Sequence, residues 1–249
     1  MSPRYALITG AGGGIGAATA LSLAAEGYSL WLTYASSEAG AQEVAHKSRE
    51  LGAADVHVSH LDLRDPASIA ALLSEIDAAW GQLNVVVNNG AVCHYRSFED
   101  IDIDEWDETL ETNARGTFLI SRGSLPLLRA ATGDRVIVNV SSIAGQIGSV
   151  TTGMHYAASK AAILAITRSF ARALSAEGIR VNAVTPGPIA SNITDKLTPD
   201  TRESLAGIVP LGRFGTSQEV AWIISAVVSP QASFVTGATY DVNGGVRID

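Results

Sequence analysis

Tyr156 and Lys160, in Tyr156-Ala157-Ala158-Ser159-Lys160, stand four positions apart. Positions i and i+4 of a helix share a face, so a phenol and an ammonium would point into one space. A nearby positive charge favours phenolate and lowers a tyrosine pKa from its reference near ~10, making a general acid or base usable near neutral pH. Alone, such a pair is more often an ordinary amphipathic feature. Its company matters. Ser141 and Ser142 end the apolar run 135–140, Asn88-Asn89-Gly90-Ala91 ends the run 83–88, and Pro186-Gly187 follows the run 179–184. Ligands of open parallel sheets bind at the carboxyl ends of strands. Asn113 falls inside a helical window, where asparagine is locally unfavourable, which hints at a task for its side chain. The first apolar run leads into Thr9-Gly10-Ala11-Gly12-Gly13-Gly14-Ile15-Gly16. A glycine-rich turn between strand and helix lets backbone N–H groups approach a pyrophosphate at the helix N-terminus. By itself it is a weak signal, which a tight turn needing positive φ would also give.

These residues need a frame. Apolar, β-branched runs at 5–9, 29–33, 56–59, 83–88, 135–140, 179–184 and 239–242 alternate with windows of helical periodicity at 15–26, 38–51, 66–80, 104–130, 155–177 and 217–228. That alternation predicts crossover units and a parallel sheet with helices on both faces, an α/β doubly wound architecture. No repeat or linker divides the chain, so a single domain over 1–249 is expected. The Pro-containing region 186–215 is expected to be a loop, acting as a lid over substrate. The acidic stretch 99–111 reads as a solvated helix start.

Composition narrows the function. Hydrophobic residues make up 47% and charged residues 17% of the 249 positions, which excludes disorder. The net charge is −8, from 17 Lys+Arg against 25 Asp+Glu, which argues against a nucleic-acid partner. The single cysteine, Cys93, offers neither a disulfide nor a thiolate metal site, and it suits a reducing cytoplasm. The uncharged stretch 5–25 is broken by five glycines, so neither a membrane span nor a secretory signal is expected.

Taken in order, the glycine loop at 9–16, Asp62, Asn88-Asn89, Asn113, Ser142, Tyr156 with Lys160, Pro186-Gly187 and Val242-Asn243-Gly244-Gly245 resemble the short-chain dehydrogenase/reductase superfamily over essentially the whole chain. Ile208-Val209-Pro210-Leu211-Gly212-Arg213 and Gly237-Ala238-Thr239 are similar to the 3-oxoacyl-(acyl-carrier-protein) reductase-like group. The resemblance implies a Rossmann-type sheet of about seven parallel strands. It implies that Tyr156 protonates a carbonyl oxygen and that Lys160 lowers its pKa and holds the nicotinamide ribose. It also implies that Ser142 bonds the developing alkoxide and that Asn113 keeps a relay water for Lys160. Gly10, Gly13, Gly14, Ile15 and Gly16 would form the pyrophosphate loop, with Asp62 and Leu63 at the adenine. Asn89, Gly90 and Ala91 would lie along the adenosine ribose, and Pro186, Gly187 and Ile189 at the nicotinamide. Ser142, Ile143, Ile147, His94 and Tyr156 would meet substrate. The group's basic carrier-docking positions fall on Gly133 and Glu177, so an acyl-carrier protein is a doubtful partner. Asn-Asn-Gly-Ala stands where the family usually has Asn-Asn-Ala-Gly, a swap of two small residues.

The second strand ends in Tyr34-Ala35-Ser36-Ser37, with no acid before Glu38 to bond a ribose 2′-hydroxyl. Hydroxyls at Ser36 and Ser37 favour NADP(H), while NAD(H) stays possible, since no Arg or Lys lies nearby. Cys93 and His155 read as filler or wall. The Ala-rich helix at 155–177 predicts a second buried face and a homotetramer. The expected activity is NADP-dependent reduction of a ketone, 3-oxoacyl-like or another small carbonyl compound, to a secondary alcohol. The alternatives are an NAD-dependent sugar or steroid alcohol dehydrogenase and, more remotely, a non-catalytic nucleotide sensor.

Overall fold

The computed structural model describes residues 3–149, 152–190 and 198–248. Seven parallel strands form one sheet: β1 (Arg4–Ile8), β2 (Tyr28–Tyr34), β3 (Val56–His60), β4 (Val85–Asn88), β5 (Arg135–Val140), β6 (Ile179–Pro186) and β7 (Thr239–Val242). Their order is β3-β2-β1-β4-β5-β6-β7. This is a Rossmann-like α/β fold, and the order reverses between β1 and β4.

Side chains of a strand alternate between faces, and the core divides accordingly. Ala6, Ile8, Val85, Val87, Val136 and Val138 pack under helices α1 (Gly14–Ala25), α2 (Glu38–Glu50) and α10 (Ser217–Val228). Leu7, Val86, Ile137 and Val181 pack on the other face, under α3 (Pro66–Trp80), α5 (Gly116–Gly123), α6 (Leu125–Ala130) and α8 (Met154–Leu174). Local chemistry sets the helix ends. Asp65 caps α3 by accepting from Ala67 N–H, with Pro66 in its first turn, and Gly81 at φ 64° stops it. Thr216 and Glu219 form a reciprocal capping box on α10.

The window 104–130 is not one helix. It comprises α4 (Ile103–Leu110), a π-helical turn Glu111–Arg115, then α5 and α6. Pro126 in the first turn of α6 accounts for the second break, because proline removes a helical N–H and crowds the residue before it. The region 186–215 is likewise not all loop. It contains α9 (Pro199–Gly207), capped by Thr198, and its ends are joined where Ala190 N–H donates to Gly215 O at 2.8 Å. Residues 191–197 of the expected lid lie outside the described residues. A short α7 (Ala144–Ile147) follows β5.

Candidate active site

A cleft of about 840 Å³ opens along the carboxyl ends of the strands at the β1/β4 reversal, where doubly wound sheets place their ligands. Its floor is the glycine loop. Gly10 (φ 66°) and Gly14 (φ 55°) have left-handed backbone, and a Cβ on Gly10 would lie 2.8 Å from Gly90 Cα. Gly13 and Gly14 face open space in the cleft wall. The first turn of α1 has no side-chain cap and no acid, so its free N–H groups are available to an anion. Gly16 sits beneath the loop instead: a Cβ there would come within 2.3 Å of the Gly10 carbonyl oxygen. Thr9 Oγ1 accepts from Asn89 and Gly90 N–H at 3.0 and 2.9 Å. Asn89 Nδ2 donates to the Thr9 and Gly10 carbonyls, both at 3.0 Å. The Asn89 amide nitrogen is therefore spent on locking the loop.

Farther along the wall lie Ile15, Tyr34, Ser36, Ser37, Asp62, Leu63, Asn89, Gly90 and Ala91. Ser37 occupies the N-cap position of α2 without making a capping bond. Burial and the nearby Glu38 carboxylate raise the Tyr34 phenol. Asp62 accepts from Arg64 N–H at 2.8 Å, and that bond, with the guanidinium beside it, holds its carboxyl below the usual range. Arg64 itself lines the cleft. It was not among the expected residues, although it follows Asp62 by two. Uncapped N–H groups on a glycine floor, with hydroxyls at the end of β2, fit a dinucleotide.

The other half of the cleft holds the reactive groups. Ser142 leaves the end of β5, and its Oγ accepts from Ala144 N–H at 3.1 Å. Tyr156 and Lys160 project from the first two turns of α8, the Lys160 ammonium 5.5 Å from the Tyr156 ring centre. Lys160 is 2% exposed and donates to the Val140 carbonyl at 2.9 Å. Burial lowers its pKa to about 8, opposed by Cys93. Tyr156 departs from expectation. Burial, with Cys93 adding to it, pushes its phenol well above 10, and a hydrogen bond with Ser142 opposes this only in part. A lysine with a pKa of about 8 has lost its own proton before the phenol titrates, so it brings no charge to offset the desolvation of its neighbour. The chain alone thus holds a proton on Tyr156 at neutral pH, the state a general acid needs.

Pro186, Gly187 and Ile189 line the cleft, as do Ile143 and Ile147. Gly187 N–H donates to Val242 O at 2.9 Å, and a Cβ on Gly187 would meet Asn243 Cα at 2.8 Å. Besides Gly16, two expected residues do not reach the wall. Asn113, fully buried in the π-helical turn, accepts from Val92 N–H at 2.9 Å and donates to Val92 O at 2.9 Å and to Ser159 Oγ at 3.0 Å. Its side chain anchors Val92. His94 is not in the wall itself but stands behind Glu108, which is, Nε2 to Oε2 3.4 Å, while Cys93 and Tyr95 on either side line the cleft. Burial pushes the Cys93 thiol up to about 11, so it is no thiolate. Tyr95, Leu205, Ile208 and Phe214 complete an apolar wall. Tyr95 and Phe214 carry no sequence signal beyond their aromatic type, because loop packing alone brings them here.

Comparison with known proteins shows the family. The family model described as enoyl-(acyl carrier protein) reductase matches residues 10–247. The 3-oxoacyl-(acyl-carrier-protein) reductase FabG of Staphylococcus aureus (strain Mu50) is 36% identical over 244 residues, covering 98% of each chain. That of Salmonella typhimurium (strain LT2) is 36% identical over 243 residues, covering 98% of this chain and 97% of its own. The chain belongs to the short-chain dehydrogenase/reductase family. It is an oxidoreductase that uses a nicotinamide dinucleotide.

Proposed function

We propose that the protein reduces a ketone of the 3-oxoacyl type to the secondary alcohol, with NADPH preferred. The observation that carries this reading is a half-buried, proton-holding Tyr156 between Ser142 and Lys160 in the wall of a dinucleotide-sized cleft. The bound nicotinamide supplies the hydride. Ser142 donates a hydrogen bond to the substrate oxygen as charge develops there. Tyr156 delivers its phenolic proton to that oxygen. Lys160, still largely protonated at pH 7, stabilises the phenolate left behind. Pro186, Gly187 and Ile189 hold the nicotinamide end, and the loop at Gly10–Gly14 with Ile15 holds the pyrophosphate.

Preference for NADPH rests on the Ser36 and Ser37 hydroxyls and on Ala35, which leaves no carboxylate at the end of β2. Glu38, close enough to act on Tyr34, favours the second reading, an NAD-dependent secondary-alcohol dehydrogenase. Parallel oxidation of NADPH and NADH with a small 3-oxo ester tests both. Fast NADPH consumption supports the first reading; NADH formation from an alcohol with no NADPH turnover refutes it. Ala35→Asp moves preference toward NADH if this is the 2′-phosphate pocket.

A small thioester is the expected substrate rather than a carrier-bound one. Glu177, at a carrier-docking position of the related reductases, is held by Arg129 at 2.6 and 2.8 Å. Turnover of an acyl-carrier-protein thioester well above that of a small thioester would refute this. The chain acts as one Rossmann domain, with 186–215 as its substrate lid, in the cytoplasm and as a homotetramer. Exposed Ile103, Phe118, Met154, Trp222 and Phe234 offer the surfaces for assembly; a monomer by light scattering is the contrary outcome. No helix among the described residues is long and apolar enough to cross a membrane.

A further inference from the structure

Beside the reactive residues lies a buried imidazole that the chemistry above does not use. His155 directly precedes Tyr156 and is fully buried. Its ring lies nearly parallel to that of His94, 6.1 Å away at 10°, and to Trp106, 6.5 Å away at 24°. Neither nitrogen has a well-aligned hydrogen bond, and Nε2 faces Glu105 Oε1 on α4 at 3.3 Å. Arg96 binds the other oxygen of Glu105 at 3.0 Å. Burial lowers the His155 pKa against the pull of Glu105, so the ring is neutral at pH 7 and its proton belongs on Nε2, toward the carboxylate.

The adjoining edge of the ring presses on the backbone. A Cβ on Gly153 would lie 2.1 Å from His155 Cε1 and 2.3 Å from Nδ1. Gly153 N–H in turn donates to the His94 carbonyl at 2.9 Å. The segment 92–95 is thus fastened twice, at Val92 by Asn113 and at His94 by Gly153. Cys93 lies between the two fastenings and Tyr95 just past them, and both line the substrate half of the cleft. An imidazole buried without good partners costs stability that an apolar side chain would not. Its flat shape against a glycine is what the position uses.

We propose that His155 is a positioning residue for ketone reduction: as a plate between Glu105 and Gly153, it sets the gap between the Cys93–Tyr95 wall and the Tyr156 hydroxyl, and so the fit of the carbonyl substrate. The proposal rests on the reductase reading. Its test includes a readout that needs no turnover, alkylation of Cys93, the only cysteine in the chain.

His155→Ala removes the plate, and Gly153→Ala displaces it. Gly153 has φ −63° and ψ 150°, which alanine adopts freely, so that variant acts through the contact alone. His155→Gln keeps a planar group with an N–H for Glu105. The expected result for both alanine variants is a KM for the 3-oxo ester raised about ten-fold, with kcat and the NADPH dissociation constant changed less than about three-fold, because fit rather than chemistry is lost. Iodoacetamide labels Cys93 about ten-fold faster in both, as the wall loosens. His155→Gln returns KM to within about three-fold of the wild type. Unchanged KM and unchanged labelling in Gly153→Ala and His155→Ala overturn the proposal. So does a parallel loss of kcat, cofactor binding and thermal stability, which marks a merely structural role. If His155→Ala does not fold, Gly153→Ala decides. If the wild type reduces no ketone, the reductase reading fails by itself, and the labelling rates still decide whether His155 sets the wall.

Discussion

Lys160 is kept at a cost to the fold, and that cost can be measured. Its pKa falls from 10.5 to about 8 because burial strips its ammonium of water. A lysine depressed in the folded state binds fewer protons there than in the unfolded chain between these two values, so stability rises with pH across that window. Below pH 8 both states are protonated and the penalty is complete. At about 1.4 kcal/mol per unit, the penalty is about 3 kcal/mol at pH 7, about 2 at pH 9 and under about 1 at pH 10. Lys160→Met removes the charge and keeps the stem. It also loses the bond to the Val140 carbonyl, which offsets about 1 kcal/mol at every pH. The difference between variant and wild type should therefore shrink by about 2 kcal/mol from pH 7 to pH 10. Cys93, with its thiol raised to about 11, contributes an opposite trend; Lys160 pulls that thiol down, so the trend is stronger in the variant and adds to the narrowing of the difference. Urea unfolding of the cofactor-free proteins at equal concentration gives the numbers. A difference that does not vary with pH would falsify the claim that Lys160 is held desolvated, and with it the account of why Tyr156 keeps its proton.

Three further outcomes follow from the same geometry. Tyr156→Phe removes the proton donor and should leave NADPH binding by fluorescence within about two-fold while kcat falls at least about 1,000-fold; retained turnover would move the acid elsewhere. Gly16→Ala drives a methyl to 2.3 Å from Gly10 O and 2.5 Å from Asn89 Nδ2, so thermal denaturation should show a loss of about 1–3 kcal/mol together with weakened cofactor binding. Asn113→Ala leaves the Val92 N–H and carbonyl unpartnered, at about 1–3 kcal/mol each; a stability matching the wild type would show that water replaces the side chain.

The parts of the fold legible in the sequence are those governed by local rules. The run 135–140 reads as a strand because both faces of β5 are covered, so it is apolar almost throughout. The glycine loop reads correctly because the need for left-handed backbone at Gly10 and Gly14 is local to those residues. The break before α6 was available in Pro126, yet helical periodicity runs across it. The helix α9 buries only Leu205, which gives its periodicity almost nothing to register, although Thr198 and Pro199 are ordinary start signals. Site residues were legible by type more than by direction. Asn113 marks a special place in its helix, but its partner Val92 lies 21 residues away. That Cys93 and Tyr95 face the cleft while His94 faces Glu108 is decided by α4 and the turn before α8, neither of which the segment itself encodes.

The same distinction explains why burial outweighs the charge logic of Tyr156 and Lys160 in the chain alone. Spacing places a cation beside a phenol, and in water that would favour phenolate. Burial acts on both members at once. It lowers the ammonium and raises the phenol, and the ammonium gives a hydrogen bond to the Val140 carbonyl. The protein's own groups therefore build a proton donor. A proton donor next to Ser142, on a cleft shaped for a dinucleotide, is suited to complete the reduction of a carbonyl.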